Sequence, residues 1–72
     1  MSITEMKLKF CSRVYELRSE SDLTVPELAR RSGLSLAMVE ALDRREVPKS
    51  MMVGDAFRLA AVFGCAASEL FR

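Results

Sequence analysis

The chain has 72 residues, half of them apolar and 29% charged, which suits one small globular domain. Eleven basic and ten acidic side chains leave a formal charge of only +1, so a strongly basic domain is excluded. Any contact with nucleic acid must depend on where single basic side chains lie. No apolar run is long enough to span a membrane, and the first residues are charged where a signal peptide is apolar. The sequence predicts a cytoplasmic protein with no membrane contact.

The residue types present argue against an enzyme. The chain has no histidine, and its two cysteines, Cys11 and Cys65, are too few for a disulfide framework or a zinc site. The commonest general base and a glycine-rich phosphate loop are both missing. We therefore expect no catalytic residue, no metal and no cofactor, with both cysteines acting as small core residues.

A first helix is predicted over residues 3–19. Ser2 and Glu5 have the spacing of a helix N-cap and the residue that closes it. Apolar residues then recur at steps of three and four, the period of one helix face, and we expect that face to be buried. It comprises Ile3, Met6, Phe10, Val14 and Leu17. The polar stretch that follows ends the helix, with Asp22 suited to a left-handed turn.

A second helix begins at a capping box. Thr24 can accept a hydrogen bond from the backbone of Glu27, whose side chain can reach back to the N–H of Thr24. Pro26 lies in the first turn, where a missing N–H leaves no bond unmade. Gly33 ends the helix, because glycine readily adopts the positive φ that a helix C-terminus often requires.

A third helix follows after a very short link. Ser35 can cap this helix, and its Val39 and Leu42 should face inward. So short a link forces the two helices into contact at a steep angle, which predicts a helix-turn-helix over residues 24–44. The small side chain of Ala29 allows a close approach.

The rest of the chain predicts a loop and two more helices. Residues 44–50 are charged and contain Pro48, which indicates a loop. Helices are expected over about 52–63, ending at Gly64, and over 67–71. Since no segment alternates as a strand does, the sequence predicts an all-α, compact five-helix domain of 72 residues.

The segment LTVPELARRSGLS, residues 23–35, resembles the helix-turn-helix of the phage repressor and Cro-like family, also called the XRE family. RVYELR at 13–18 looks like the end of that family's first helix, and residues 59–71 look like its fourth and fifth helices. The resemblance implies a lambda-repressor-like DNA-binding fold. It also implies a bacterial or phage transcriptional regulator, a repressor that binds a palindromic operator in double-stranded DNA as a homodimer.

The same resemblance assigns roles to single residues, with Ser35 opening a recognition helix. The positions that it places toward the bases are Leu36, Ala37, Met38, Glu40 and Ala41. The positions that it places near phosphates are Thr24, Val25, Ser35, Arg44, Arg45 and Lys49. Arg18 and Asp43 match positions that form an ion pair between the first helix and the end of the third.

The recognition positions are more apolar than base reading usually requires. Base edges are read mainly by Arg, Lys, Asn and Gln, whereas Leu36, Ala37 and Met38 can only contact a thymine methyl. An exposed apolar patch is often a protein interface. Two functions therefore stay open: a sequence-specific DNA-binding regulator, and a protein-interaction module, such as an anti-repressor or adaptor, that binds a partner through these three residues.

Self-association is expected because a core this small supplies little net stability. The expected dimer seam lies in the fourth and fifth helices, at Cys65, Leu70 and Phe71. A two-fold dimer would set two recognition helices about one DNA turn apart. The additional N-terminal turns, residues 2–9, are a second candidate for the seam.

Overall fold

The chain folds into helices only, as seen in a computed structural model that describes residues 2–71. Four α-helices and one 3₁₀ helix make up the described residues, which contain no strand. Where the sequence predicts a fifth α-helix, the chain forms the 3₁₀ helix. The elements in chain order are α1 (Ile3–Glu20), α2 (Val25–Ser32), α3 (Leu36–Asp43), α4 (Val53–Phe63) and the 3₁₀ helix (Ala67–Phe71).

The N-terminal part of α1, residues 3–9 (the α1 extension), has no buried residue. Helix α1 starts where Ser2 Oγ accepts a hydrogen bond from the N–H of Glu5 at 3.2 Å. The prediction that Ile3 and Met6 face the core is wrong, since their side chains are 72% and 41% exposed. An 18-residue helix is about 27 Å long. The buried side chains of α1 begin only at Phe10, so the other elements pack against the C-terminal part of the helix.

Helix α2 has a reciprocal capping box at its start. Thr24 Oγ1 accepts from the N–H of Glu27, and the N–H of Thr24 donates to Glu27 Oε1, both at 3.2 Å. The backbone and side-chain hydrogen bonds from Thr24 lower the pKa of the Glu27 carboxyl. At the other end of α2, Gly33 has φ 78°, and its N–H donates to the carbonyl of Ala29 at 3.0 Å.

Ser32 fixes the turn from the inside. Its hydroxyl donates to the carbonyl of Leu28 at 2.7 Å and accepts from the N–H of Leu34 at 3.3 Å. Ser32 therefore belongs to α2 rather than to the link, which consists of residues 33–35. Ser35 Oγ then accepts from the N–H of Met38 at 3.1 Å and caps α3.

Helix α4 packs through a narrow face of small and branched side chains. Ala56, Leu59 and Ala60 are buried, while Val53 and Phe57 are 76% and 60% exposed. Phe57 follows Ala56 by about 100° around the helix, so burying Ala56 turns the ring toward solvent. The apolar pattern that predicts α4 therefore includes two residues, Val53 and Phe57, that are not buried in the core. Gly64 ends the helix with φ 69°.

The core draws large side chains from every element. The 3₁₀ helix contributes Leu70, which is 0% exposed, so the prediction that it lies at a dimer seam is wrong for this residue. Next to it, Phe71 stacks on Phe10 with ring centroids 5.1 Å apart. The largest fully buried side chains are Cys11, Leu28, Val39, Leu42, Leu59 and Leu70. Burial raises the pKa of the Cys11 thiol, which keeps it protonated and apolar in the core.

Gly33→Ala should lower the free energy of unfolding by about 1–2 kcal/mol, because a Cβ is strained in the left-handed region. A Cβ built at Gly33 meets no atom within 4 Å, so the strain is conformational and not steric. Gly54→Ala is the matched control, since Gly54 also has open space and lies in α4 without a positive φ. That change should raise stability by about 0.5 kcal/mol. Urea unfolding of both variants checks the prediction, and equal stabilities would contradict it.

Candidate functional site on helices α2 and α3

Helix α3 has one anchored side and one exposed side. Val39 and Leu42 are each 1% exposed and hold the helix on the core. Leu36, at the start of α3, is 46% exposed, and Ala37 and Glu40 are exposed as well. These three residues lie on adjacent parts of the helix surface, so one face of α3 projects from the domain.

Two of the five predicted base-facing positions do not lie on this projecting face. Met38 is half-buried and packs against the core, and Ala41 is 9% exposed. The loop after α3 folds back at this point, where the N–H of Glu46 donates to the carbonyl of Ala41 at 2.8 Å. Together with the bond from the N–H of Arg45 to the carbonyl of Leu42 at 3.0 Å, this bond forms a local cap at the C-terminus of α3, with Arg45 in the left-handed region.

A shallow cleft of about 270 Å³ separates the start of α2 from the exposed face of α3. Apolar side chains from both helices line part of it, and two carboxylates and a guanidinium line the rest. It can accept an apolar group such as a methyl and offer hydrogen-bond acceptors to a donor beside it. The lining residues are Val25, Pro26, Leu36, Glu40, Asp43 and Arg44.

The residues predicted near phosphates differ in exposure and in whether their polar groups already form hydrogen bonds within the domain. Thr24 Oγ1 donates to Glu27 Oε1 at 2.9 Å, so the capping box already uses its hydroxyl. Val25 is half-buried against the core. Ser35 is exposed and caps α3. In α3 the N–H groups of Leu36 and Ala37 have no acceptor within the helix, which makes this N-terminus available to an anion. The first turn of α2 leaves only the N–H of Val25, because Pro26 has none and the N–H of Glu27 donates to Thr24.

The three basic residues after α3 point in different directions. Arg44 is 61% exposed and lies 3.7 Å from Glu46, a weak surface pair. Arg45 has φ 63°, and its guanidinium lies over the ring of Tyr15 on α1, 5.4 Å from the centroid. Lys49 is exposed. Arg44 and Lys49 therefore face solvent, whereas Arg45 is directed back toward α1.

An ion pair joins the end of α1 to the end of α3. Arg18 Nη2 and Nε donate to the same oxygen of Asp43, Oδ1, at 2.8 and 3.1 Å. Nη1 of Arg18 donates to the carbonyl of Leu23 at 3.0 Å, so one guanidinium connects both helices with the turn between α1 and α2. The side chains of Arg18 and Asp43 are 16% and 31% exposed.

Tyr15 is a site residue that the sequence reasoning missed. The Arg18 guanidinium lies 5.2 Å from the centroid of the Tyr15 ring, so this ring makes cation–π contacts with both Arg18 and Arg45. Such contacts contribute about 0.5–1 kcal/mol each at an exposed site. The spacing of Tyr15 and Arg18, three residues apart on a helix, is the signal that could have indicated the first contact.

Comparison of the chain with protein-family models, with curated proteins and with solved structures finds no match. Within residues 2–71 no group of three or more His, Cys, Asp or Glu side chains could hold a metal ion. No helix in that range is long and apolar enough to cross a bilayer. The function is therefore inferred from the geometry of the chain alone.

Asp43→Asn should lower the free energy of unfolding by about 1–2 kcal/mol, since hydrogen bonds to charged groups contribute about 1.5–3 kcal/mol and this pair is only partly buried. Glu40→Gln is the control, because it neutralises an exposed carboxylate on the same helix and should change stability by less than about 0.5 kcal/mol. Chemical denaturation measures both. Equal effects would show that the pair does not hold α3 in place.

Proposed function

We propose that the chain is a helix-turn-helix DNA-binding domain of the lambda-repressor-like type and regulates transcription by binding a specific DNA sequence. The observation that carries this proposal is the exposed face of α3, which Val39 and Leu42 anchor from behind and α2 supports across the Gly33 turn. The eight residues of α3 form a helix about 12 Å long, which fits within the major groove of B-DNA.

The chemistry of α3 sets what the proposed helix would read. Leu36 and Ala37 would contact thymine methyl groups, and Glu40 would accept a hydrogen bond from the amino group of cytosine. Met38 and Ala41 would contribute indirectly, by seating α3 on the domain. We therefore expect an operator half-site in which thymine and cytosine contacts decide specificity, with no arginine or lysine bonded to guanine from α3.

The phosphate contacts would come from the ends of the helices. The N-terminus of α3 presents the N–H groups of Leu36 and Ala37 to an anion, and Arg44 and Lys49 supply exposed positive charge. Glu40 and Asp43 oppose this attraction, and the net charge of the chain is only +1. Binding by one copy should be weak, so a stable complex requires two half-sites occupied together.

Arg44→Ala with Lys49→Ala should weaken binding to all DNA sequences about equally and reduce the slope of log K against log salt by about 2, one for each lost phosphate contact. The measurement is fluorescence anisotropy at several salt concentrations, on sites selected from random DNA. Lys9→Ala with Arg58→Ala removes the same charge from exposed positions on α1 and α4, and this control should keep the slope. The proposal would be contradicted if the selection enriched no DNA sequence and the affinity for DNA did not change with salt concentration.

A second candidate function, a protein-interaction module, is favoured by one observation. The exposed face of α3 has no Arg, Lys, Asn or Gln side chain until Arg44, and Leu36 is 46% exposed beside the cleft. That cleft suits an apolar anchor from a partner protein, such as the DNA-binding protein that an anti-repressor would cover.

Leu36→Glu tests the protein-interaction module. If α3 binds a protein, the change should lower the affinity for the purified partner by at least about 30-fold, because it places a charge at the centre of the contact. Leu8→Glu, an equally exposed leucine on α1, is the matched control and should leave the affinity unchanged. Isothermal titration with a partner isolated on the immobilised chain measures both. An enriched DNA site and no 1:1 protein partner would exclude the module.

A further inference from the structure

A second apolar surface shares no residue with the cleft between α2 and α3. It is a groove of about 270 Å³ between the α1 extension, the loop that precedes α4 and the start of α4. Lys7 is the one charged residue among the described residues that line it. Five large apolar side chains of the lining are more than a third exposed: Ile3, Met6, Met52, Val53 and Phe71.

A ridge continues this surface along α4. Val53 forms one wall of the groove, and Phe57 and Ala61 follow at steps of four residues, which places all three on one face of the helix. Val53 and Phe57 are 76% and 60% exposed, and Ala61 is exposed. The groove and the ridge together (the α1–α4 face) therefore form one continuous apolar surface with a concave and a convex part.

The α1 extension has no buried contact within the domain. Residues 3–9 continue the helix of Ile3–Glu20 without burying one side chain. Most helical stability in proteins comes from packing of an apolar face, which this segment lacks. Exposed apolar patches of this kind on a small protein mark interaction sites. The missing contact would stabilise both the extension and the groove.

We propose that the α1–α4 face binds a second copy of this chain, forming a two-fold symmetric dimer. A two-fold interface needs one surface that is complementary to itself, and here a ridge lies beside a groove of the same apolar character. In such a dimer Phe57 of each copy enters the groove of the other.

The charges favour a second copy over another protein. Among the described residues the groove has no charged side chain other than Lys7, as is typical of homodimer interfaces, which are more apolar than transient ones. Arg58 lies beside Ala61 at the far end of the ridge. A charged peptide would therefore find a single charged side chain in the groove. The chain itself carries a net charge of +1, so two copies repel each other little.

The area required explains why the ridge must take part. A standard interface buries about 800 Å² on each partner. The accessible surface of this chain is 4561 Å², so about a sixth of it would be covered. The groove alone is too small for that, whereas the α1 extension, the groove and the ridge together extend along two helices. Of the seam predicted in the fourth and fifth helices, only Phe71 lies on this face, because Leu70 is buried and Cys65 does not line the groove. The second candidate seam, residues 2–9, contributes Ile3, Met6 and Lys7 to the groove.

Sedimentation equilibrium of the full chain without DNA, from micromolar to millimolar concentration, tests this dimer separately from DNA binding. The wild-type chain should approach twice its monomer mass of 8.1 kDa. Val53→Asp with Phe57→Glu should raise the dissociation constant by about 100-fold or more, since both positions lie at the centre of the face. Both residues are exposed, and the new side chains suit a helix start and a helix interior, so the domain should stay folded.

The matched control is Leu36→Glu with Ala37→Glu, which adds the same charge at two exposed positions of α3, outside the face. This variant should dimerise like the wild type, and circular dichroism should show equal helix content in all three proteins. A wild-type chain that stays monomeric at millimolar concentration would overturn the proposal and leave the groove to another protein. A fully dimeric Val53→Asp, Phe57→Glu variant would overturn it as well, as would a control that dissociates.

Discussion

The left-handed turn at Gly33 is the constraint on which the rest of the structure depends. With φ 78° it reverses the chain within three residues, so α3 must lie against α2 with Val39 and Leu42 facing the core. Ser32 holds this turn from the inside, with hydrogen bonds to the backbone on both sides of Gly33. With Val39 and Leu42 facing the core, the opposite face of α3, which carries Leu36, faces solvent.

The short chain has a second consequence, which is that it cannot cover its own apolar surface. The described residues bury one compact core, yet both the exposed face of α3 and the α1–α4 face remain open to solvent. The two surfaces share no residue, so the proposed binding of DNA or a partner protein and the proposed dimer would not compete. A dimer of this kind would bury additional apolar surface, which a core this small lacks. It would also present two copies of α3.

The basic residues near α3 serve structure as much as binding. Arg18 bonds to Asp43 and to the backbone of Leu23, and it shares the ring of Tyr15 with Arg45. These contacts hold α1 to the end of α3 and draw one of the three basic side chains after α3 away from the exposed face. The positive charge left for phosphate is correspondingly small, so specific DNA binding would depend on shape and apolar contacts more than on electrostatic attraction.

Local sequence signals determined the helices and their ends. Thr24 with Glu27, Gly33 and Ser35 each act through bonds or φ values within a few residues, so spacing alone predicted them. The sequence could not determine which apolar residues are buried, because that depends on what packs opposite. Ile3 and Phe57 continue good helical patterns but meet no partner within the domain, while Leu70 is enclosed by the core. Ala41 is buried whereas Ala37, one turn earlier on the same helix, is exposed, and the local pattern does not distinguish the two alanines.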